Sequence, residues 1–154
     1  MDIRKYETTD AEAIAAVYRN AVINIGCDFY NAKQVEIWSS FSNNIEEFRQ
    51  RLNLGLTLIA VVDRKIVSFG QLYPEDRIAF LYTSQQYARQ GYARAIYQQL
   101  AEYAIEQNAK YLTTEASRVS QFFFLKQGFQ IVETEIVIRQ GIEFERFKMR
   151  KEIA

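Results

Sequence analysis

The chain has 154 residues, 49% of them apolar and 25% charged, a balance expected of one globular domain with a sizeable core. Its 19 Lys and Arg are offset by 19 Asp and Glu, so there is no global basic field and nucleic acid is not the expected partner. There is no histidine and one cysteine, Cys27, which excludes a Ser-His-Asp triad, a Cys-His pair, a His-ligated metal, an internal disulfide and a Cys-based zinc cluster. With no histidine to activate it, Cys27 reads as a small, partly buried residue and not as a nucleophile. No apolar run approaches the roughly 18 residues of a membrane span. The start, Met1-Asp2-Ile3-Arg4-Lys5, lacks the apolar core of a signal peptide, and the expected compartment is the cytoplasm.

In chain order, Ile3 to Tyr6 predicts a short strand. Thr9-Asp10-Ala11-Glu12 reads as a capping box, a Thr hydroxyl with a Glu three residues on. It opens a helix with Ile14, Val17, Tyr18 and Ala21 at helical spacing. Asn24 to Asn31 reads as a loop, whose Phe29 and Tyr30 serve either a pocket or the core. Asn31 to Gln34 predicts the cap of a second helix with Val35 and Trp38 inward, and Asn44 to Glu47 that of a third with Ile45, Phe48 and Leu52 inward. Thr57 to Val62 and Ile66 to Tyr73 predict a hairpin turning at Asp63-Arg64-Lys65. Pro74 ends it, and Arg77 to Thr83 is a third central strand. A helix from about Ala93 to Gln107 follows, with Ala93, Ile96, Tyr97, Leu100 and Ala104 on one stripe. Tyr111 to Glu115 is a short strand, and Ser117 caps a further helix that stops at Gly128. Phe129 to Arg139 and Ile142 to Arg150 are strands joined near Gln140-Gly141, with Phe147 and Met149 on one face and Lys148 and Arg150 on the other. No repeat or linker interrupts residues 1–154, so the expectation is a single α/β (α+β) domain: a mixed, mostly antiparallel sheet with helices packed on it.

The stretch that joins the third central strand to its helix carries the chemistry. Arg89-Gln90-Gly91-Tyr92-Ala93 is a short polar turn at a helix N-terminus, where free backbone N–H groups and the helix dipole favour a phosphate. Gly91 lets the backbone come close to a ligand, Ala93 keeps the first turn thin, and Arg89 and Arg94 add charge. Taken alone, the turn is equally an ordinary strand–loop–helix junction with one glycine.

Three segments in the same order resemble the GNAT superfamily of N-acetyltransferases. Ile78-Ala79-Phe80-Leu81-Tyr82-Thr83 is similar to that family's central acetyl-CoA strand. Ala88-Arg89-Gln90-Gly91-Tyr92-Ala93 is similar to its pyrophosphate loop, (Q/R)-x-x-G-x-(G/A). Glu115-Ala116-Ser117, followed by Phe123-Phe124-Leu125-Lys126-Gln127-Gly128-Phe129, is similar to its second half. Two positions depart from the pattern. Ala88 stands where Gln or Arg is usual, and Phe124 stands where many members carry a tyrosine near the CoA sulfur, so that phenol's proton is missing.

The resemblance implies transfer of an acetyl group from acetyl-CoA, a co-substrate, to an amine. It assigns acetyl-CoA to Leu81, Tyr82, Thr83, Arg89, Gln90, Gly91, Tyr92, Ala93, Arg94, Ser117 and Phe124. The transfer needs a deprotonated amine, donors for the oxyanion and a proton for the thiolate. Backbone N–H groups around Leu81, Tyr82 and Thr83 are the expected oxyanion donors. Glu115 is a candidate base, directly or through a water, and equally a structural hydrogen-bond partner. Tyr82 or Tyr30 can replace the lost phenol. The aromatic residues Phe29, Tyr30, Trp38, Tyr73 and Tyr82 suit a pocket for a small amine, held by cation–π contact; core packing accounts for them equally. A non-catalytic acyl-CoA-binding module, a CoA-independent interaction domain and a protein amine acceptor are the competing readings, and monomer and homodimer both stay open.

Overall fold

The computed structural model describes residues 2–154. These form strands β1 (Asp2–Lys5), β2 (Leu56–Val62), β3 (Lys65–Leu72), β4 (Arg77–Thr83), β5 (Tyr111–Ala116), β6 (Gln130–Arg139) and β7 (Ile142–Glu152). The helices are α1 (Ala11–Gly26), α2 (Ala32–Ser39), α3 (Ile45–Leu52), α4 (Tyr92–Glu106) and α5 (Gln121–Lys126). The strands make one seven-stranded sheet in the order β1-β2-β3-β4-β5-β7-β6. Neighbours run antiparallel except β4 and β5. This is the expected mixed, mostly antiparallel sheet with helices packed on it.

The expected helical stripes fill the two faces. Ile96, Tyr97, Leu100 and Ala104 of α4 bury themselves with Leu112, Phe124, Phe129 and Met149. On the other face Ile14, Val17 and Tyr18 of α1 meet Phe48 and Leu52 of α3 over Ile59, Phe69 and Phe80 of the sheet. Burying one such large apolar side chain contributes about 1.5–3 kcal/mol. α4 comes close to β3 because Gly70 has no side chain: a Cβ there would stand 2.8 Å from Ile96 Cγ2 and 3.1 Å from Leu81 Cδ1.

Three local expectations change. The cap ahead of α1 is made by Glu7 and Asp10, not by Thr9 and Glu12: Asp10 Oδ2 accepts the Glu7 backbone N–H at 2.8 Å. Arg4 holds both Asp10 oxygens at 2.9 Å, while Glu12 is drawn off to Arg49 at 2.5 Å. Helix α1 runs on to Gly26, so the loop is shorter than Asn24 to Asn31. Cys27, at the end of α1, is exposed and not partly buried; its Sγ donates to the Asn24 carbonyl at 3.4 Å. The Asn31–Gln34 capping box and the Asn44 cap form as expected.

Candidate active site

β4 and β5 pair only at Arg77–Thr113 and Ile78–Thr114. Beyond that point they part, and two features of the sequence mark the place. Leu72 faces Ile78 while Gln71 faces Phe80, so Ala79 is an extra residue on β4; such a bulge bends a strand and raises its twist. Thr114 Oγ1 donates to the Ile78 carbonyl at 2.8 Å, so a side chain takes the last bond between the strands. On the other side of β4, Ser84 N–H donates to the Val67 carbonyl of β3 at 2.9 Å. Backbone groups alternate sides along a strand, so Leu81 and Thr83 N–H point away from β3, into the gap.

That gap is part of a cleft of about 1260 Å³. A pocket for one drug-sized ligand holds roughly 300–1,000 Å³, so this cleft has room for two substrates. One end reaches the N-terminus of α4. There Gly91 has φ +90° and is followed directly by Tyr92, the first helical residue. Among the described residues, no protein group accepts from the N–H of Gln90, Gly91, Tyr92, Ala93 or Arg94. The first turn of α4 has no acidic residue. Arg89, Arg94 and Lys126 line this end, and among the described residues none has a carboxylate partner. The arrangement is a cationic cradle of free donors, suited to an anion.

The structure brings together most of the residues expected at the site. Leu81, Tyr82, Thr83, Arg89, Gly91, Tyr92, Ala93, Arg94, Glu115, Ser117, Phe124, Tyr30 and Trp38 all line the cleft. Gln90 does not; its side-chain amide turns back to donate to the Gln86 carbonyl at 3.1 Å, leaving only its backbone N–H for a ligand. Ser117 Oγ accepts from the Val119 and Ser120 N–H at 3.2 and 3.0 Å, closing the turn that leads into α5. Phe124 is buried, edge-on to Phe123 and Phe129 at 5.3 and 5.1 Å. Tyr73 falls outside the cleft, so the pocket role expected for it is corrected. β3 runs antiparallel to β4, with Ser68 opposite Thr83 and Leu72 opposite Ile78. Tyr73 therefore lies at the far end of the sheet from Thr83.

Glu115 Oε2 accepts a 2.6 Å hydrogen bond from Arg77 Nε. Its structural role is thus visible, and its second oxygen is left for other partners. Tyr82 sits between Trp38 at 6.4 Å and Tyr18 at 4.9 Å, centroid to centroid. Burial pushes the Tyr82 phenol up to about 12, with the Trp38 side chain pulling the other way. Such a phenol stays protonated at neutral pH and is able to donate. Tyr30 is buried, its oxygen accepting the Arg118 backbone N–H at 2.8 Å. Burial raises its pKa as well, against the Arg118 N–H.

The other end of the cleft has residues that sequence reasoning missed. Phe144, Glu145, Arg146, Val137 and Arg139 of the β6–β7 hairpin line it. The hairpin is held there by Gln34 Nε2, which donates to the Glu143 carbonyl at 2.9 Å, and by Phe144 packing on Tyr30 at 6.2 Å. Their alternation was readable from the sequence, but nothing local said that this face would meet α2. Among the described residues, no helix is long and apolar enough to cross a membrane.

Comparison with known proteins agrees with this geometry. A family model described as "Acetyltransferase (GNAT) domain" matches residues 27–153. An uncharacterized N-acetyltransferase of Escherichia coli (strain K12), YafP, is 27% identical over 150 residues, covering 97% of this chain and 95% of that protein. Among solved structures, a GCN5-related N-acetyltransferase from Rhodopseudomonas palustris is 28% identical with a TM-score of 0.96, covering 99% of this chain and 95% of its own. PaiA N-acetyltransferase from Thermoplasma acidophilum, solved in complex with coenzyme A, superposes with a TM-score of 0.81 at 20% identity, over 99% of this chain and 98% of that one. With a splayed β4–β5 pair, a glycine turn of free donors at the head of α4, and a family match spanning most of its length, the chain belongs to the GNAT family of acetyltransferases.

Proposed function

We propose that this protein moves the acetyl group of acetyl-CoA directly to the primary amine of a small molecule. One observation carries the reading: a single cleft joins the free N–H groups of residues 91–94 to the gap into which Leu81 and Thr83 N–H point. The first set suits the pyrophosphate of CoA, with Arg89, Arg94 and the thin turn of Tyr92 and Ala93 around it. Ser117 and Phe124 flank the pantetheine arm, with Phe124 supplying a buried apolar wall and no proton. The presence of coenzyme A in the Thermoplasma acidophilum relative supports this use of the fold.

In the reaction the amine nitrogen attacks the thioester carbonyl carbon, and the carbonyl electron pair moves to oxygen. Leu81 and Thr83 N–H are fixed before that charge develops, which makes them effective oxyanion donors. Collapse of the intermediate breaks the C–S bond and expels the CoA thiolate. The amine's extra proton passes to the free oxygen of Glu115, directly or through one water. The thiolate takes a proton from the Tyr82 phenol or from solvent. Tyr30 and Trp38 wall the acceptor end and hold the ammonium form by cation–π contact until it gives one proton to solvent and becomes the attacking amine.

The test is acetyl-CoA turnover against amino acids, polyamines, aminoglycoside-like amines and lysine-rich peptides, with each product identified by mass. Small amines should be the better substrates. Peptides ahead by about a hundredfold, roughly 2.7 kcal/mol of transition-state binding, would overturn the small-amine assignment.

A further inference from the structure

Charges at the acceptor end are nearly all matched. Glu115 is bonded to Arg77 at 2.6 Å, Arg118 to Glu145 at 3.3 Å, and Arg146 to Glu135 at 2.5 Å. Two cleft-lining charges at this end have no charged partner among the described residues: Arg139 on the hairpin, whose Nη1 donates to the Ile138 carbonyl at 3.2 Å, and Asp28 on the α1–α2 loop. Arg139 is the last residue of β6, opposite Ile142. Strand alternation puts it on the same face as Val137 and its neighbour Phe144, the face that packs on Tyr30. The walls here are Tyr30, Trp38 and Phe144, so a guanidinium and a carboxylate flank an aromatic pocket.

We propose that the amine acceptor also carries a carboxylate, as an amino-acid-like zwitterion does, and that Arg139 is the residue that selects it. The inference rests on the acetyl-transfer reading above. A guanidinium presents a planar fork of N–H donors that matches a carboxylate in two parallel bonds. Asp28 and the aromatic walls attract the ammonium end. A plain polyamine would meet Asp28 favourably but would also be repelled by Arg139. A zwitterion satisfies both charges and leaves none unpaired.

The experiment uses the full chain at saturating acetyl-CoA. It compares kcat/KM for α-, β- and γ-amino acids with that for the carboxamide of each. Acetyl-CoA affinity is measured first by calorimetry, and folding of each variant by thermal melting. At least one acid should exceed its amide about tenfold, mainly through a lower KM, the size expected of one charge-assisted pair. In Arg139→Ala the ratio should fall to within twofold, and in Arg139→Glu the amide should become the better substrate. Equal rates on acids and amides, a ratio that survives Arg139→Ala, or a preference for aminoalkylphosphonates over the acids would overturn the inference while leaving acetyl transfer standing. Failure to bind acetyl-CoA, or to acetylate any amine, would overturn the transfer reading and this inference with it.

Discussion

Gly91 holds φ at +90° with nothing within 4 Å of where a Cβ would stand. Space inside the protein therefore does not require glycine; the backbone angle does, and under the proposed function so does the approach of the CoA phosphates. Gly91→Ala should cost about 1–2 kcal/mol of stability, the left-handed cost for an L-residue. Gly91→Trp should fold with a similar loss yet fail to bind CoA in calorimetry, because the side chain fills the phosphate's place. Equal affinity for wild type and Gly91→Trp would refute the loop assignment. Phe124 makes a different case, since it is both core and cleft wall. Phe124→Leu should lower stability by about 1–2 kcal/mol, since the smaller side chain leaves part of the ring's volume unfilled, and should raise the Michaelis constant for acetyl-CoA. A large fall in turnover at saturating cofactor, with that constant unchanged, would instead give the ring a part in the chemical step. Gly91 was legible because its evidence is local: a strand, a glycine and a helix within a few positions. Arg139 was not, because an arginine at a hairpin end has no local mark to distinguish it.

At the scale of elements, the start of α1 shows how neighbours redirect a local pattern. Thr9 and Glu12 have capping-box spacing, yet Asp10 makes the cap, since Arg4 of β1 fixes its carboxylate and Arg49 of α3 takes Glu12. The Arg4 hydrogen bonds hold the Asp10 carboxyl below its usual range, helped by the Glu7 N–H and opposed by burial. A lowered carboxylate pKa adds stability that is present above the unfolded value, about 4, and is lost as pH falls through the folded value. Asp10→Asn keeps an oxygen for the Glu7 N–H but loses the charge that Arg4 pairs with, so it should be about 0.5–1 kcal/mol less stable than wild type near pH 7. The loss is no larger because Arg4 is 43% exposed and solvent weakens its ion pair. The gap should close by about pH 2, and urea melts at the two pH values would show it. A gap that stays constant with pH would mean that packing, not the charge, is responsible.

At the scale of the whole molecule, the helical layer of α1 and α3 is tied to the sheet by one buried amide. Gln71 of β3 is 1% exposed, and its Nε2 donates to the Arg51 and Leu54 carbonyls at 2.6 and 2.9 Å. These lie at the C-terminal end of α3, where carbonyls lack helical partners. Gln71→Leu would keep the volume and strand the Leu54 carbonyl, while the Arg51 carbonyl keeps the Leu54 N–H at 3.2 Å, so stability should fall by about 1–3 kcal/mol. The urea midpoint should drop at an unchanged m-value; a changed m-value would mean that the α3 layer had come loose from the sheet.

The sequence by itself determined the order of the elements, the two apolar stripes, the glycine turn at the head of α4 and the absence of histidine chemistry. Each is written in residues close together in the chain, where periodicity and caps act. Tertiary structure decided the rest. The parting of β4 and β5 follows from the extra residue Ala79 on β4 and from Thr114 taking the last bond between the strands. The antiparallel run of β3 carried Tyr73 away from the cleft. Arg77 claimed Glu115 across 38 positions, and Gln34 brought the β6–β7 hairpin, with Phe144 and Arg139, to the cleft end away from α4 across 109. Such pairings depend on which faces meet once the layers pack, and local spacing carries no record of distant partners.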